Sequence, residues 1–247
     1  MTEPSPLTTQ PPNAFIRRAL REAVFGTQDG LISTLGALTG IAAGTQSGQA
    51  VVIAGLVIIT VESLSMAAGS YLSSKSQRQY LEALLREEAH AIETDPEGER
   101  REIYEMYRVR GYTDDEIAII ARRLLSDKRL LLEDMAHKEL GISPSHLEDP
   151  LGNAFVMGTS YVVGGLVPVV SYLIWSVSQA MRISIIGSLL VLFAFGGLKG
   201  RLVKQPWWRS GLEMLAVAGA AVAVGYGVGQ FASAWVERLG LGSLHLG

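Results

Sequence analysis

Two long apolar segments decide the fold of this chain: AVFGTQDGLISTLGALTGIAAG, residues 23–44, and AVVIAGLVIITVESLSMAAGSYLSS, residues 50–74. The uncharged turn TQSGQ, residues 45–49, joins them. A helix needs about 20 apolar residues to cross the hydrocarbon core of a bilayer, and both segments have that length. Asp29 and Glu62 are the only charged residues in the pair. Because an ionised side chain at membrane depth is costly, these two acids are candidates for a function.

The composition favours an integral membrane protein. Of the 247 residues, 48% are hydrophobic and only 18% are charged, and the mean hydropathy is +0.26. A net charge of −3 without a basic, aromatic-rich strip argues against a nucleic-acid partner. The absence of cysteine excludes disulfides, zinc–thiolate sites and thiol catalysis. The first residues lack the features of a signal peptide, so we expect the first span to direct insertion into the lipid bilayer.

The rest of the chain alternates between charged and apolar stretches. We predict an all-α membrane protein with five transmembrane helices and a small cytosolic helical domain inserted between the second and third spans. The later spans are expected at residues 151–176, 183–198 and 211–235, with Arg182 separating the first two of them. The expected regions are a disordered tail (1–14), an interfacial helix with spans 1 and 2 (15–74), the cytosolic domain (75–149), and spans 3–5 with a short tail (150–247).

Helix signals divide the soluble block. One helix continues out of the second span to about residue 93 and stops at Asp95-Pro96, where Pro96 suits the first turn of the next helix. That helix ends at Gly111, and residues 113–116 form a capping box that opens a third. A fourth is expected from Asp127 to Glu139.

Basic residues predict the orientation. Arg17, Arg18 and Arg21 precede the first span, and four Lys or Arg residues lie in the loop at 199–209. The positive-inside rule places these segments and the soluble block in the cytosol, and the C-terminus on the opposite side. The composition fits a bacterial inner membrane, or a vacuolar-type membrane in a eukaryote.

Side chains of the first two spans form a candidate metal path. Asp29 and Met66 lie at similar distances from the turn, about 18 and 19 residues, and therefore at similar depth. Glu62 shares a helix face with Met66, and Glu22 shares one with Asp29 near the membrane entrance. A soft thioether beside hard carboxylates suits a transition metal such as Fe²⁺, and buried carboxylates can exchange a metal for protons. A purely structural interpretation is that Met66 fills a gap between helices.

Acidic pairs at helical spacing mark a second candidate site in the soluble block. Glu99 and Glu102 are three residues apart, Glu87 and His90 repeat that spacing, and Met135 and Glu139 are four apart. Each pair lies on one helix face, where it can offer ligands to a cation. The alternative is an ordinary solvated face that pairs with neighbouring arginines.

Small residues repeat every fourth position on the first and last spans. Gly36, Gly40 and Gly44 form one stripe, and Gly225 and Gly229 form the other. Such stripes let helices approach closely. The pattern leaves open whether the contact is within one subunit or between two.

Four motifs and the proline-bearing third span resemble the vacuolar iron transporter (VIT) family. The motifs are REAVFGTQDGL (21–31), SMAAG (65–69), KSQ (75–77) and KELG (138–141). The resemblance covers nearly the whole chain after Asn13. It implies a five-span homodimer that moves Fe²⁺, and often Mn²⁺, out of the cytosol in exchange for protons, with a pore at the dimer interface. The pore Asp and Met of the family match Asp29 and Met66.

The resemblance also implies a metal site on the cytosolic helices. Glu99, Glu102, Met135 and Glu139 match the family's ligands. The first ligand pair matches less closely: Glu87 fits, but His90 stands where a Glu is expected, and Glu88 has Ala91 at the same spacing.

The leading prediction is therefore a metal/proton antiporter and not an enzyme, with Fe²⁺ or Mn²⁺ as cargo and no other cofactor. An alternative is a ferroxidase, because Glu87-x-x-His90 and Asp134-x-x-His137 resemble the Glu-x-x-His pairs of di-iron carboxylate proteins. A third possibility is a membrane metal sensor or scaffold without transport.

Overall fold

All regular structure in the described part of the chain is helical. The structure is a computed structural model that describes residues 12–138 and 149–239, with side chains from residue 19 onward. It contains eight helices: α1, Pro12–Thr45; α2, Gly48–Thr94; α3, Pro96–Val109; α4, Asp114–Leu125; α5, Lys128–Lys138; α6, Pro150–Ile174; α7, Val177–Leu202; and α8, Trp207–Arg238. The predicted all-α class is confirmed over these residues. The expected ligand Glu139, at the predicted end of α5, lies outside them.

Four of the described helices are long and apolar enough to cross a membrane: α2, α6, α7 and α8. The first expected span, α1, is 34 residues long but does not belong to this group. Polar residues at 27–29 and at 33–34 lower its hydropathy. Length and composition therefore support four of the five expected spans, and α1 is the one that they do not support.

The fourth expected span is longer than the sequence indicated. Arg182 does not separate two helices, because α7 begins at Val177 and carries Arg182 near its start. The helix has 26 residues, compared with the 16 expected from 183 to 198. A long basic side chain near a helix end can extend toward the membrane surface, which explains why a charge is compatible with this position.

The chain divides into two compact units. Of the described residues, one unit comprises Arg17–Tyr71 and 151–239, and we call it the membrane unit. The other comprises 12–16, 72–138 and 149–150, and we call it the soluble unit. In the soluble unit, Asp95 caps α3 by accepting a hydrogen bond from the Gly98 amide at 2.9 Å. Gly111 follows α3 with a φ of +91°, which favours glycine. The predicted helix boundaries are confirmed at both places.

Helices α2 to α5 enclose the core of the soluble unit. The start of α4 is fixed by the Thr113 amide, which donates to Glu116 Oε2 at 2.8 Å as a capping box requires. The core residues come from all four helices: Ile92, Ile103, Tyr107, Ile117, Ala121, Leu124, Leu131 and Met135. The unit is thus a small helical bundle with its own apolar interior.

Helix α1 lies at the centre of the membrane unit. It contributes to one core with α2, α6 and α7, formed by Leu38, Ala42, Val51, Ile59, Val169, Tyr172 and Ala180. It contributes to a second core with α7 and α8, formed by Leu31, Leu192, Met214 and Ala218. Because protein surrounds much of α1, many of its side chains are shielded from lipid.

The glycine stripes form the contact between α1 and α8 within one chain. A Cβ atom on Gly36 would lie 3.1 Å from the carbonyl oxygen of Ala221, and one on Gly40 would lie 2.5 Å from that of Gly225. A Cβ atom on Gly44 would lie 3.0 Å from the Gly229 oxygen. These glycines therefore bring two helices of the same chain together, which answers the question that the sequence left open.

Candidate functional site

A tyrosine hydroxyl joins three helices of the membrane unit. Tyr161 of α6 is fully buried, and its hydroxyl donates to Glu62 Oε2 of α2 at 2.7 Å. The same oxygen lies 2.5 Å from Ser33 Oγ of α1. Because a phenol has one proton to donate, Ser33 is the donor in the second bond. Sequence analysis did not select Tyr161, since a tyrosine in an apolar segment carries no pattern that reveals its partners.

Small residues of α1 allow Tyr161 to reach this position. A Cβ atom on Gly26 would lie 2.6 Å from the carbonyl oxygen of Met157, and one on Gly30 would overlap the backbone of Tyr161 itself. The backbones of α1 and α6 are therefore in direct contact beside Asp29. The Asp-Gly pair at 29–30 places an acid next to the point of closest approach.

A second polar bridge connects α1 and α2. Glu22 is 5% exposed, and its Oε2 accepts a hydrogen bond from Ser70 Oγ at 3.0 Å. Its Oε1 pairs with Arg21 Nη2 at 2.8 Å. The acid expected at the membrane entrance is thus buried and held by both helices.

The two bridges enclose Asp29 and Met66. Asp29 lies one helical turn before Ser33 on α1, and Met66 lies one turn after Glu62 on the antiparallel α2. Along their helices, both residues therefore lie between the bridge at Tyr161 and the bridge at Glu22. The carboxyl groups of Asp29 and Glu62 are close enough to interact electrostatically.

The acidic cluster is open on one side of the single chain. Asp29 and Met66 are half-buried, and Glu62 is exposed. Within the described residues, no group of three or more His, Asp or Glu side chains is arranged to hold a metal ion. One chain therefore supplies two carboxylates and a thioether, a set that can bind a divalent cation if water or further ligands complete the coordination.

The soluble unit buries a different set of acids from the one that spacing selected. Glu99 is 4% exposed and Met135 is fully buried, whereas Glu102, Glu87 and His90 are exposed. The buried acid of α2 is Glu88, at 8% exposure. A buried carboxylate requires strong compensation, whereas an exposed one does not. Burial thus singles out Glu88, which the ligand pairing by spacing had left aside.

Glu88, Glu99 and Met135 point toward the same core. Glu88 lies one turn before Ile92, and Glu99 lies one turn before Ile103. Both isoleucines belong to the core cluster that includes Met135. Residues four apart share a helix face, so the two acids lie on the inner faces of α2 and α3. The Glu88–Ile92 spacing was visible in the sequence and is the signal that could have identified Glu88.

Tyr107 and two residues of α5 connect α3 with α5. The Tyr107 hydroxyl donates to Asp134 Oδ2 at 3.0 Å, and Lys138 Nζ contacts both the hydroxyl and Asp134 Oδ1, the latter at 2.5 Å. Burial raises the pKa of the Tyr107 hydroxyl, which keeps it protonated and able to donate. This network fixes the orientation of α5, the helix that carries Met135.

The Glu-x-x-His pairs do not converge on a centre. Glu87, His90 and His137 are all exposed, and the part of the chain that the structure describes contains no cluster of three or more metal-binding side chains. The arrangement gives the ferroxidase alternative no support.

Known proteins with similar sequences share one family description. The sequence profile of the VIT family matches residues 20–230. The chain is 29% identical over 210 residues to vacuolar iron transporter 2 of Oryza sativa subsp. japonica, and the aligned region covers 85% of each of the two chains. It is 27% identical over 208 residues to vacuolar iron transporter 1 of Arabidopsis thaliana, covering 84% of this chain and 83% of that one. It is 30% identical over 216 residues to the vacuolar iron transporter of Acanthamoeba castellanii, covering 85% and 77%.

Proposed function

The chain belongs to the VIT family, and from this premise we propose that it is a membrane transporter that exports Fe²⁺, and also Mn²⁺, from the cytosol in exchange for protons. The relatives are named iron transporters. The observation that carries the proposal is the polar cluster within the membrane unit, in which the Tyr161 hydroxyl binds Glu62 within electrostatic range of Asp29. Such a costly group of acids is typical of an ion path.

The cluster supplies the chemistry that metal–proton exchange needs. Asp29 and Met66 together offer a hard oxygen and a soft sulfur, a combination that suits Fe²⁺ better than Ca²⁺ or Mg²⁺. Tyr161 binds one oxygen of Glu62 and leaves the other available to a cation. Because carboxylate ligands must lose their protons to bind a metal, protons that enter from the far side promote release of the metal. Glu22 is the proposed entrance ligand on the cytosolic side.

We propose that the functional unit is a homodimer whose second copy covers the open side of the acidic cluster. In the single chain Glu62 is exposed and Asp29 is half-buried, and the two segments at 23–44 and 50–74 carry no other charge. Charged side chains at this depth face protein or water and not lipid. A second copy would remove both acids from lipid and would double the number of ligands on the path. The proposed topology has five spans, with the soluble unit in the cytosol of a bacterium or of a cell with a vacuole-type membrane.

The soluble unit is proposed to collect the metal before transport. Glu88, Glu99 and Met135 face one core and are the proposed inner ligands. Glu102 of α3 and Glu139, which lies outside the described residues, would complete the site. Glu87 and His90 form the alternative pair on the exposed side of α2.

Metal flux into proteoliposomes tests the proposal. The wild-type chain should take up Fe²⁺ faster when the vesicle interior is more acidic than the outside than when there is no pH difference. In that case protons leave the vesicle as the metal enters. Asp29→Asn should abolish this uptake, whereas Glu213→Gln, which changes an exposed acid of α8, should leave it intact. Undiminished uptake by the Asp29 variant would refute the role of the cluster. Metal binding by the soluble unit without any flux would indicate a sensor instead.

A further inference from the structure

The soluble unit contains a basic pocket that the proposed transport path does not use. It lies between α3 and α4 and has a volume of about 440 Å³. The residues that line it are Arg100, Tyr104, Ala118, Ala121, Arg122, Leu125 and Ser126. The pocket lining contains two guanidinium groups and two hydroxyl groups but no acidic side chain. This composition is unusual in a block where acidic side chains are abundant.

The two arginines of this pocket are not neutralised by the protein. Neighbouring basic residues are engaged: Arg101 pairs with Asp95, and Arg108 pairs with Asp114 at 2.7 Å. Within the described residues, Arg100 and Arg122 form no ion pair. Both are exposed, one on each side of the pocket. Two free guanidinium groups therefore face a common space.

Helical spacing explains the shape of the pocket. Arg100 and Tyr104 are four residues apart on α3, and Ala118 and Arg122 are four apart on α4, so each pair shares a helix face. Ala118 and Ala121 have small side chains, which leaves a hollow between the two helices. Tyr104 packs against the core and forms an apolar wall. The result is a hollow with a mixed polar and apolar lining and a basic rim.

We propose that this pocket binds a small phosphate-bearing molecule. A guanidinium group binds phosphate through paired N–H donors, and two such groups neutralise a doubly charged phosphate. The hydroxyl group of Tyr104 offers a further donor at the rim. The volume lies in the range of small-molecule sites, so an organic group attached to the phosphate can pack against the alanines and Leu125 of the lining. The site is independent of the metal path, and its test does not depend on transport.

Titration of the purified full-length chain with AMP in metal-free buffer tests the proposal. The wild type should bind AMP, should bind inorganic phosphate more weakly, and should not bind adenosine. The double variant Arg100→Gln/Arg122→Gln should bind AMP at least about tenfold more weakly, since it loses two charge-assisted contacts. The matched control is Arg86→Gln/Arg101→Gln, which removes the same charge from exposed positions of the soluble unit that do not line the pocket. Its affinity should change by less than about twofold, because general attraction between charges is screened by salt.

A measurement on the unmodified protein complements these variants. Phenylglyoxal modifies accessible arginines, and mass spectrometry locates the modified residues. AMP should slow the modification of Arg122 but not that of Arg123. The proposal is overturned if the wild type binds neither AMP nor phosphate, or if both double variants lose affinity equally. It is also overturned if AMP does not slow the modification of Arg122.

Discussion

The substitution Tyr161→Phe removes one buried oxygen and two hydrogen bonds that join α1, α2 and α6. Hydrogen bonds between membrane helices contribute about 0.6 kcal/mol on average and about 1.7 kcal/mol at most. The bond to the carboxylate of Glu62 belongs at the upper end of this range, because bonds to charged groups are stronger. We therefore expect the variant to be less stable by about 1 to 3 kcal/mol. Glu62 also loses the group that orients it, so uptake of Fe²⁺ should fall severalfold.

The matched control lies on the same helix. Tyr172 is 6% exposed, and its hydroxyl has no hydrogen-bond partner among the described residues. Tyr172→Phe thus makes the same chemical change without breaking a bond, and a buried hydroxyl without a partner is costly to retain. The stability of this variant should equal or exceed that of the wild type, and its metal uptake should be normal.

Thermal unfolding of both variants in detergent, followed by flux in proteoliposomes, measures the difference. For a chain of this size a change of 1 kcal/mol shifts Tm by about 2–4 °C. Tyr161→Phe should unfold at a lower temperature than Tyr172→Phe in every preparation. If the two variants have the same Tm and the same flux, the bridge between Ser33, Tyr161 and Glu62 has no role in stability or transport.

Three further predictions concern other parts of the chain. Gly40→Ala should destabilise the protein by about 1–3 kcal/mol in thermal unfolding, because its Cβ would lie 2.5 Å from the Gly225 oxygen. Gly227→Ala should be neutral or stabilising, because a Cβ atom at Gly227 would meet open space. A hydrogen bond from the Thr113 amide holds the pKa of the Glu116 carboxyl below its ordinary value. The stability that this carboxylate contributes is therefore present at neutral pH and is lost as the pH falls through its folded pKa. The difference in free energy of unfolding between wild type and Glu116→Gln, measured with denaturant, should shrink in acid. Glu88→Gln should weaken Mn²⁺ binding to the purified chain at least about tenfold, and Glu87→Gln should change it little; the opposite order would favour the exposed pair.

Local signals in the sequence were sufficient for the helix boundaries of the soluble unit. Asp95-Pro96 ends one helix and begins the next because proline cannot continue the hydrogen-bond ladder but fits a first turn. Thr113 and Glu116 are close in the chain, so their capping box depends on no distant residue. Such features are predictable because the interacting groups are neighbours in sequence.

Features that depend on distant residues were not predictable in the same way. Tyr161 lies 128 residues from Ser33 and 99 from Glu62, and no sequence pattern connects them. The spacing of Glu87 and His90 was correct for a ligand pair, but spacing alone does not reveal which face of α2 is buried. The fourth span begins before its expected start because a single charge does not end a helix, and α7 carries Arg182 within its first turns.

The weak hydropathy of α1 has a consequence for biogenesis. A helix with polar residues at 27–29 partitions poorly from the translocon into lipid by itself, whereas α2 is strongly apolar. Only Gln46 and Ser47 separate the two helices, and Gln46 adopts a positive φ that reverses the chain. The two helices are therefore expected to leave the translocon together as one hairpin, with the second carrying the first. Lengthening this two-residue link should reduce the yield of inserted protein, even though the link lies far from every polar group on the proposed path.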